Sequence, residues 1–383
     1  MNKNKSKTVF VGVSGGVDSS VSAAILIEQG YNVVGVFIRT WTPDFIKCTW
    51  EDERRDAMRV CAHLGIPFLE CDAEKEYKEG VADYMIEEYK KGNTPNPDVM
   101  CNREVKFGVF WKFAKEHGAD AIATGHYARN VQAGEKLKVS KVVKAESLDK
   151  LDGLYKLLTG CDITKDQSYF LWTLKQEDLA HTLFPIGHLE KSEVRKIALK
   201  HKLPTAVKKD SQGVCFLGPL DMKDFLGHYI ESKKGDVLLA PKESGDNKIK
   251  VIGTHDGAVF FTLGERHGFT LTKHSENDKP LYVVAKNIED NTITVSENLI
   301  NNTPEQFKKY NLEKINWISV PPEDNKIYKA QIRYHGEYID CDVKILDKNT
   351  AIINFDKPML VSNGQSIVVY DNEICLGGGV VYN

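Results

Sequence analysis

The chain has 383 residues, 42% hydrophobic and 27% charged, with a formal net charge of -3. That length exceeds one ordinary core and points to two or three domains, and the near-neutral balance excludes a protein carried to nucleic acid by overall basicity. No apolar run approaches a membrane span, and a strand begins by Val9, leaving no room for a leader peptide, so a cytoplasmic protein with no membrane partner is expected. Eight cysteines in so long a chain read as reduced thiols, not as a disulfide scaffold.

The first apolar strand runs into Ser14-Gly15-Gly16-Val17-Asp18-Ser19, and a helical pattern follows from Ser19 to Gln29. A strand, a Gly/Ser turn and a helix start in one line make an anion site. Glycine frees the backbone and lets a ligand approach, the loop N–H groups and positive helix end attract phosphate, and Ser19 is placed to cap the helix. A Walker A loop is excluded by the missing Gly-Lys-Ser/Thr, and a Rossmann loop by the missing G-x-G-x-x-G.

Strands and helices then alternate, which predicts a parallel sheet covered by helices. Asn32 to Thr40 is the second strand; Glu51 to Leu64 is a helix with Met58, Cys61 and Leu64 on one side; Ile66 to Cys71 is the third strand and Glu74 to Lys91 a long helix. A loop with two prolines, Gly92 to Asp98, precedes Cys101, which lies at the mouth of a helix over Asn102 to His117. Ala119 to Thr124 is a fourth strand ending in Gly125-His126-Tyr127, and ligands in such open sheets sit beyond the strand carboxyl ends. Leu137 to Leu151 reads as a surface hairpin, Lys165 to Tyr169 as a helix start, and Leu183 to Ile186 as a short strand. The α/β rhythm stops near Cys215. The expected division is an α/β domain over 1–216, a small mixed linking domain over 217–279 and a C-terminal β-barrel over 280–383, the last read from alternating runs beginning with Leu281 (LYVVAKNI, TITVSE, YKAQIRY).

Two loop cysteines stand out. Cys101 precedes a helix, whose N-terminus lowers a thiol pKa, and Asp98 three residues earlier could exchange a proton with it or with substrate. Cys215 lies in the Gly-containing segment Asp210 to Phe216, after a basic run containing Lys191, Arg195, Lys196, Lys200, Lys202, Lys208 and Lys209. That run either neutralises phosphates or is a solvated helix face. Cys61, Cys71, Cys341 and Cys375 sit in apolar patterns as packing residues, while Cys48 and Cys161 carry no assignment.

The set SGGVDSS, NPDVMCN, GHYAR, KDQSYFL and DSQGVCFLG, in this order, resembles the tRNA-specific 2-thiouridylases of the MnmA type, within the ATP pyrophosphatases whose SGGxDS loop grips a leaving pyrophosphate. The likeness continues through RYHG, NGQ and LGGGVV. It implies an adenine nucleotide alpha hydrolase-like (PP-loop) fold that adenylates the C2 oxygen of a wobble uridine with ATP and Mg²⁺ and replaces it with sulfur. Gly12, Val13, Ser14, Gly15, Gly16, Val17, Asp18, Ser19 and Ile38 would then hold ATP, with Gly125 beside the adenine and Asp18 at the metal. Asn96, Pro97 and Asp98 would meet the target base; His126, Lys165, Asp166, Gln167, Arg333, Tyr334 and Gln365 would contact tRNA. Cys101 would be the nucleophile and Cys215 the persulfide carrier, loaded by a cysteine desulfurase or a sulfur-relay protein. The implied partners are tRNAs of the Lys, Glu and Gln type, and the implied state is a monomer. Ser362-Asn363 departs from the Thr-Pro expected before Gly364-Gln365, and Asn102-Arg103-Glu104-Val105-Lys106 replaces Asn-Lys-Tyr-Ile-Lys while keeping positive charge near Cys101.

Three rivals remain open on the sequence: an amidating ATP pyrophosphatase, which needs no paired thiols; a non-catalytic tRNA-binding module with a vestigial loop; and, as a cofactor alternative, an iron–sulfur cluster held by Cys101, Cys215 and Asp98. Without the resemblance, His126 reads equally as a tRNA contact and as an ordinary polar residue at a strand end, Asp166 and Gln167 could simply cap a helix, and Arg333 and Tyr334 sit in an alternating strand where a surface arginine is ordinary.

Overall fold

The computed structural model describes residues 7–46, 50–132, 153–210, 213–218, 220–241, 250–272, 279–299 and 304–382. The expected hairpin at Leu137 to Leu151 lies outside these residues, as do Cys48, Ser211 and Gln212.

Apolar runs bounded by polar turns form the first sheet. Its strands are β1 (Thr8–Gly12), β2 (Asn32–Arg39), β3 (Phe68–Asp72) and β4 (Ala121–Ala123). After β5 (Ala128–Gln132) and β6 (Tyr155–Thr159), which belong elsewhere, β7 (Thr182–Leu183) completes the order β3-β2-β1-β4-β7. Every neighbour in it is parallel. Side chains alternate across a strand, so β1 feeds two cores. Val9 and Val11 pack against α1 (Val17–Glu28) and α2 (Trp50–Leu64), while Phe10 packs on the other face. Full burial of a side chain such as Phe10 contributes roughly 1.5–3 kcal/mol.

The opposite face is covered by two long helical segments, each with a wide turn in its middle. The first joins α3 (Glu74–Tyr77) to α4 (Tyr84–Lys90) through a π-helical stretch, Lys78–Asp83. The second joins α5 (Pro97–Cys101) to α6 (Phe110–Glu116) through another, Asn102–Val109. The two stretches touch: a Cβ on Gly80 would lie 2.9 Å from Cγ of Glu104.

Several sequence expectations are corrected here. α1 starts at Val17 with Gly16 as its N-cap, so Ser19 lies inside the first turn and is not the cap. Met58 is exposed, and α2 buries Ala57, Val60 and Cys61. The helix expected from Asn102 begins at Pro97, because the Asn96 side chain accepts the N–H of Val99 and proline suits the first helical position. Cys101 is therefore one turn inside a helix. The segment at Lys165 opens only a 3₁₀ turn, Ser168–Leu171. After it come α7 (Gln176–Ala180), the basic helix α8 (Lys191–Lys200) and α9 (Met222–Gly227).

A second sheet contains β8 (Gly235–Leu239), β9 (Lys250–His255), β10 (Phe269–Leu271), β11 (Tyr282–Asn287) and β12 (Thr292–Ser296), in the order β10-β9-β8-β12-β11. Thus LYVVAKNI and TITVSE, assigned by pattern to the C-terminal barrel, pair into the central sheet instead. A half-buried strand alternates in the same way in either sheet, so periodicity could not separate them.

The third sheet takes β13 (Lys309–Trp317), β14 (Tyr328–Gln331), β15 (Ile339–Ile345), β16 (Ala351–Phe355), β17 (Ser366–Asp371) and β18 (Ile374–Tyr382). Its order is β13-β16-β15-β14-β17-β18-β6-β5, and pairing of β13 with β18 closes the first six strands into a barrel. β5 and β6, from the α/β part of the chain, extend this sheet beyond β18.

All three parts meet at the loop before α5. The Thr94 N–H donates to the Asn363 carbonyl at 2.7 Å, and the Thr94 hydroxyl lies 3.3 Å from that of Thr262. Gly364, at φ +88°, approaches so closely that a Cβ would sit 3.0 Å from the Thr94 nitrogen.

Candidate active site

The turn after β1 is shaped for phosphate. Gly15 has φ +70°, and a Cβ there would sit 2.6 Å from the carbonyl oxygen of Glu53 on α2. Only glycine tolerates both constraints. The Ser14 N–H donates to Ser19 Oγ at 3.3 Å, and the Ser20 hydroxyl donates to the Gly16 carbonyl at 2.6 Å. Gly12, Val13 and Val17 form the apolar flanks of this turn, with Ile38 buried near Gly12 at the end of β2. Gly125 packs against the first turn of α1, where a Cβ would meet the Ser19 nitrogen at 2.8 Å.

Asp18 faces a cluster that the loop motif does not announce. Both its carboxylate oxygens accept from Nζ of Lys191, each at 2.8 Å, and Oδ1 also accepts the Tyr127 hydroxyl at 2.8 Å. Lys191 opens α8 and also pairs with Asp210 at 2.8 Å. Asp210 binds Arg195 at 2.6 Å and Lys165 at 3.1 Å. Part of the basic run is thus paired with carboxylates: Lys208 with Asp56, and, at the exposed surface, Lys200 with Glu28 on α1. A lysine absent from the phosphate loop itself is supplied by α8. Sequence reading had the residue in a charged run but no signal tying it to Asp18.

The two loop cysteines come together. Sγ of Cys101 donates to Sγ of Cys215 at 3.4 Å, and Cys101 is fully buried. Asp98 Oδ1 accepts the Cys215 N–H at 3.0 Å, and the buried Tyr77 hydroxyl donates to the Cys215 carbonyl at 2.7 Å. Phe216, the next residue, has φ +65°, a conformation most side chains avoid. The sequence expectation of a lowered Cys101 pKa is corrected: burial, then the neighbouring Cys215, push this thiol well up. Cys215 instead is held below the ordinary thiol value, first by the Cys101 S–H, against burial, and then by Lys106. Burial raises Asp98, opposed by the Cys215 N–H and by Lys106. Cys61, Cys71 and Cys341 are pushed up by burial, to about 11, 12 and 12, as inert packing thiols are. Cys161 is exposed.

The residues expected at tRNA divide by environment. Asn96 caps α5 and Pro97 is its first residue. His126 is buried between Phe107 and Phe184, with Nδ1 2.7 Å from the Thr124 hydroxyl. Burial and Lys106 keep that imidazole neutral. Asp166 is buried and accepts from the Gly160 N–H at 2.8 Å, the Ser168 N–H at 3.1 Å and the Ser168 hydroxyl at 2.8 Å. Gln167 Oε1 accepts the Tyr127 N–H. Tyr169 ties this turn to the barrel by donating to the Ser366 and Ile332 carbonyls. Tyr334 lies with its ring 4.5 Å from Phe170, and Arg333 beside it is exposed. Gln365 Oε1 accepts the Ser362 N–H at 2.8 Å, and the departure at Ser362 has a partner, since its hydroxyl accepts from the Leu263 N–H at 3.1 Å.

The donor set does not suit an iron–sulfur cluster. Clusters are held by about four cysteine thiolates, and no group of three His, Cys, Asp or Glu able to hold a metal occurs among the described residues. No helix among the described residues is long and apolar enough to cross a membrane.

A doubly covered parallel sheet, a phosphate loop on its first strand and a contacting thiol pair define a PP-loop nucleotide-binding α/β protein joined to two β-barrel-type domains. Family models agree with this division: one described as tRNA methyl transferase HUP domain matches residues 7–219, one as tRNA methyl transferase PRC-barrel domain 223–297, and one as Aminomethyltransferase beta-barrel domain 307–381. The tRNA-specific 2-thiouridylase MnmA of Stenotrophomonas maltophilia (strain R551-3) is 43% identical over 377 residues, covering 97% of this chain and 93% of its own. That of Exiguobacterium sibiricum is 40% identical over 378 residues, covering 98% and 93%. The chain belongs to the tRNA-specific 2-thiouridylase family.

Proposed function

We propose that the protein is an ATP-dependent tRNA-uridine 2-sulfurtransferase acting on the wobble uridine. The observation that carries this reading is the 3.4 Å contact between Cys101 and Cys215, with Asp98 on the Cys215 backbone. ATP lies in the loop from Gly12 to Ser19, near Ile38 and Gly125. The C2 oxygen of the uridine attacks the α-phosphorus, and pyrophosphate leaves toward the loop amides and Lys191, which stabilise its charge. A magnesium ion, commonly held by one or two carboxylates plus substrate phosphates, would be held by Asp18 in exchange for its present partners Lys191 and Tyr127, and would neutralise phosphate charge.

Cys215 carries a persulfide received from a cysteine desulfurase or relay protein. Its terminal sulfur attacks C2, AMP departs with the former oxygen, and a C2–S–S–Cys215 disulfide remains. The Cys101 sulfur, after losing its proton, attacks Sγ of Cys215; the S–S bond breaks, the 2-thiouridine sulfur leaves with the electron pair, and a Cys101–Cys215 disulfide forms. Alternatively, Cys101 attacks first and releases hydrogen sulfide, which then attacks C2. Both routes end in the same disulfide, which a thiol reductant must reopen. Either requires the thiols to approach from contact distance to about 2.05 Å. Such a pair has no task in an amidating enzyme.

Asn96 and Pro97 lie where a flipped uridine would reach Asp98, and Lys165, Arg333, Tyr334 and Gln365 are the groups proposed to meet the rest of the anticodon region. For the buried His126 and Asp166, and for Gln167, whose side chain accepts the Tyr127 N–H, a supporting part in shaping that surface is the better reading. The expected substrates are tRNAs of the Lys, Glu and Gln type, and the expected setting is a cytoplasmic monomer. The test is thiolation of an unmodified tRNA with ATP, Mg²⁺ and a persulfide source, read as retardation on a mercury gel. An ATP-dependent shift lost in Cys215→Ser supports the reading. Pyrophosphate release without any shift would overturn the sulfur-transfer step.

A further inference from the structure

The wide turn after Cys101 has a chemical consequence. In an α-helix, residue i+5 points about 140° away from residue i. The stretch Asn102–Val109 is π-helical, and its last turn closes with the Phe110 N–H on the Val105 carbonyl, an i→i+5 bond. That wider turn brings Lys106 back toward the side of the helix that carries Cys101. The Lys106 ammonium comes within 5.7 Å of the Phe216 ring centroid, beside Cys215. The stretch is held in place from outside by the approach of Gly80 to Glu104.

From this register and the place of its ammonium over Phe216 we propose that Lys106 is a positioning residue for the thiol pair, the cation that faces a sulfur anion on Cys215 while Cys101 waits as the resolving thiol. The groups facing the pair from the elements around it are Asp98 and Cys101 on α5, Tyr77 on α3 and Lys106 itself, and His126 after β4 faces Lys106. Tyr77 and His126 are neutral there, raised and lowered respectively by burial. Asp98 opposes ionisation of a thiol, and Lys106 is the one cation in this set. Burial works against the ammonium, but Cys215, Cys101 and Asp98 together keep its pKa raised. Its use in catalysis rests on the sulfur-transfer reading: a sulfur carrier must be an anion to accept sulfur, and the resolving thiol must wait in its protonated form. The same cation is placed to neutralise a persulfide on Cys215.

The test is the pH dependence of iodoacetamide labelling of Cys215 and Cys101 in the full-length protein, quantified by peptide mass spectrometry. Wild type is compared with Lys106→Met and Lys106→Arg. Cys215 in wild type is expected to label with a midpoint below that of an ordinary thiol, and Cys101 slowly. Lys106→Met is expected to slow Cys215 labelling near neutral pH about tenfold, a shift of one pH unit in midpoint, and Lys106→Arg to restore most of it. An unchanged profile in Lys106→Met, or faster labelling of Cys101 than of Cys215 in wild type, overturns the proposal. If Lys106→Met fails to fold, Lys106→Gln takes its place with the same expectations. Labelling needs neither ATP nor tRNA, so it is decided separately from thiolation. Loss of thiolation with the labelling shift intact keeps Lys106, and a thiolating enzyme with no labelling shift rejects it.

Discussion

Asp98 holds the loop that carries Cys215, taking its backbone N–H at 3.0 Å while Tyr77 holds the carbonyl of the same residue from the other side. A carboxylate in the first turn of α5 thereby ties a loop from much later in the chain to the turn that ends in Cys101. Asp98→Asn retains an acceptor for the N–H, whereas Asp98→Ala does not. Both variants are expected to lose about 10²-fold or more in single-turnover thiolation if the carboxylate exchanges a proton with substrate. Only Asp98→Ala should also slow formation of the Cys101–Cys215 disulfide in the absence of reductant. Equal disulfide rates in the two variants would remove the anchoring role.

Lys191 supplies the cation that the phosphate loop lacks. Lys191→Met is expected to reduce pyrophosphate release by about 10²–10³-fold, the effect of removing one preorganised donor to developing charge. Labelling of Cys215 should be unchanged, because no contact joins Lys191 to the thiol pair. Pyrophosphate release at the wild-type rate would leave Lys191 as a purely structural partner of Asp18 and Asp210.

Asp210 links stability to pH. Burial favours its protonated form, but hydrogen bonds from Lys191 and Lys165 outweigh this and hold its pKa below the ordinary carboxylate value. Its contribution is therefore present above about pH 4, the unfolded value, and is lost as the pH falls through the lower folded value. Asp210→Asn should melt a few degrees below wild type at pH 7, and the two melting curves should converge on acidification. A constant difference from pH 7 to pH 3 would contradict this linkage.

Gly364 presses the barrel against Thr94, two residues before Asn96. Gly364→Ala meets both an unfavourable φ and a Cβ contact at 3.0 Å, a cost on the order of 1–3 kcal/mol for such strain. The expected result is weaker tRNA binding in a filter assay with ATP binding unchanged. Equal loss of both would mean that the glycine serves the whole fold and not this junction.

The α/β rhythm, the phosphate loop and the barrel were legible because each is a local pattern: an apolar run, a glycine turn, an alternation of period two. The pairing of Cys101 with Cys215 was readable only through the resemblance, since nothing local brings residue 215 to α5. Lys106 escaped because the α-helical period turns it away from Cys101, and a π-helical stretch leaves no composition signature. Lys191 was visible as charge but not as a partner of Asp18, a contact made in space by residues far apart in the chain. The start of α5 was missed by five residues although Asn96-Pro97 is a regular cap and first-turn pair; Cys101 had drawn the boundary toward itself.

β18 is bonded to β13 and β17 within the barrel and, through Ile374 and Cys375, to Leu158 and Leu157 of β6. On the ribosome, β5 and β6 emerge long before the strand that completes their edge. For that interval the α/β part carries an unpaired strand edge, the kind of surface that invites association with other nascent chains. Its maturation therefore waits on the synthesis of β18. A premature stop before Ile374 would leave a nascent protein with an intact phosphate loop and a standing demand on chaperones.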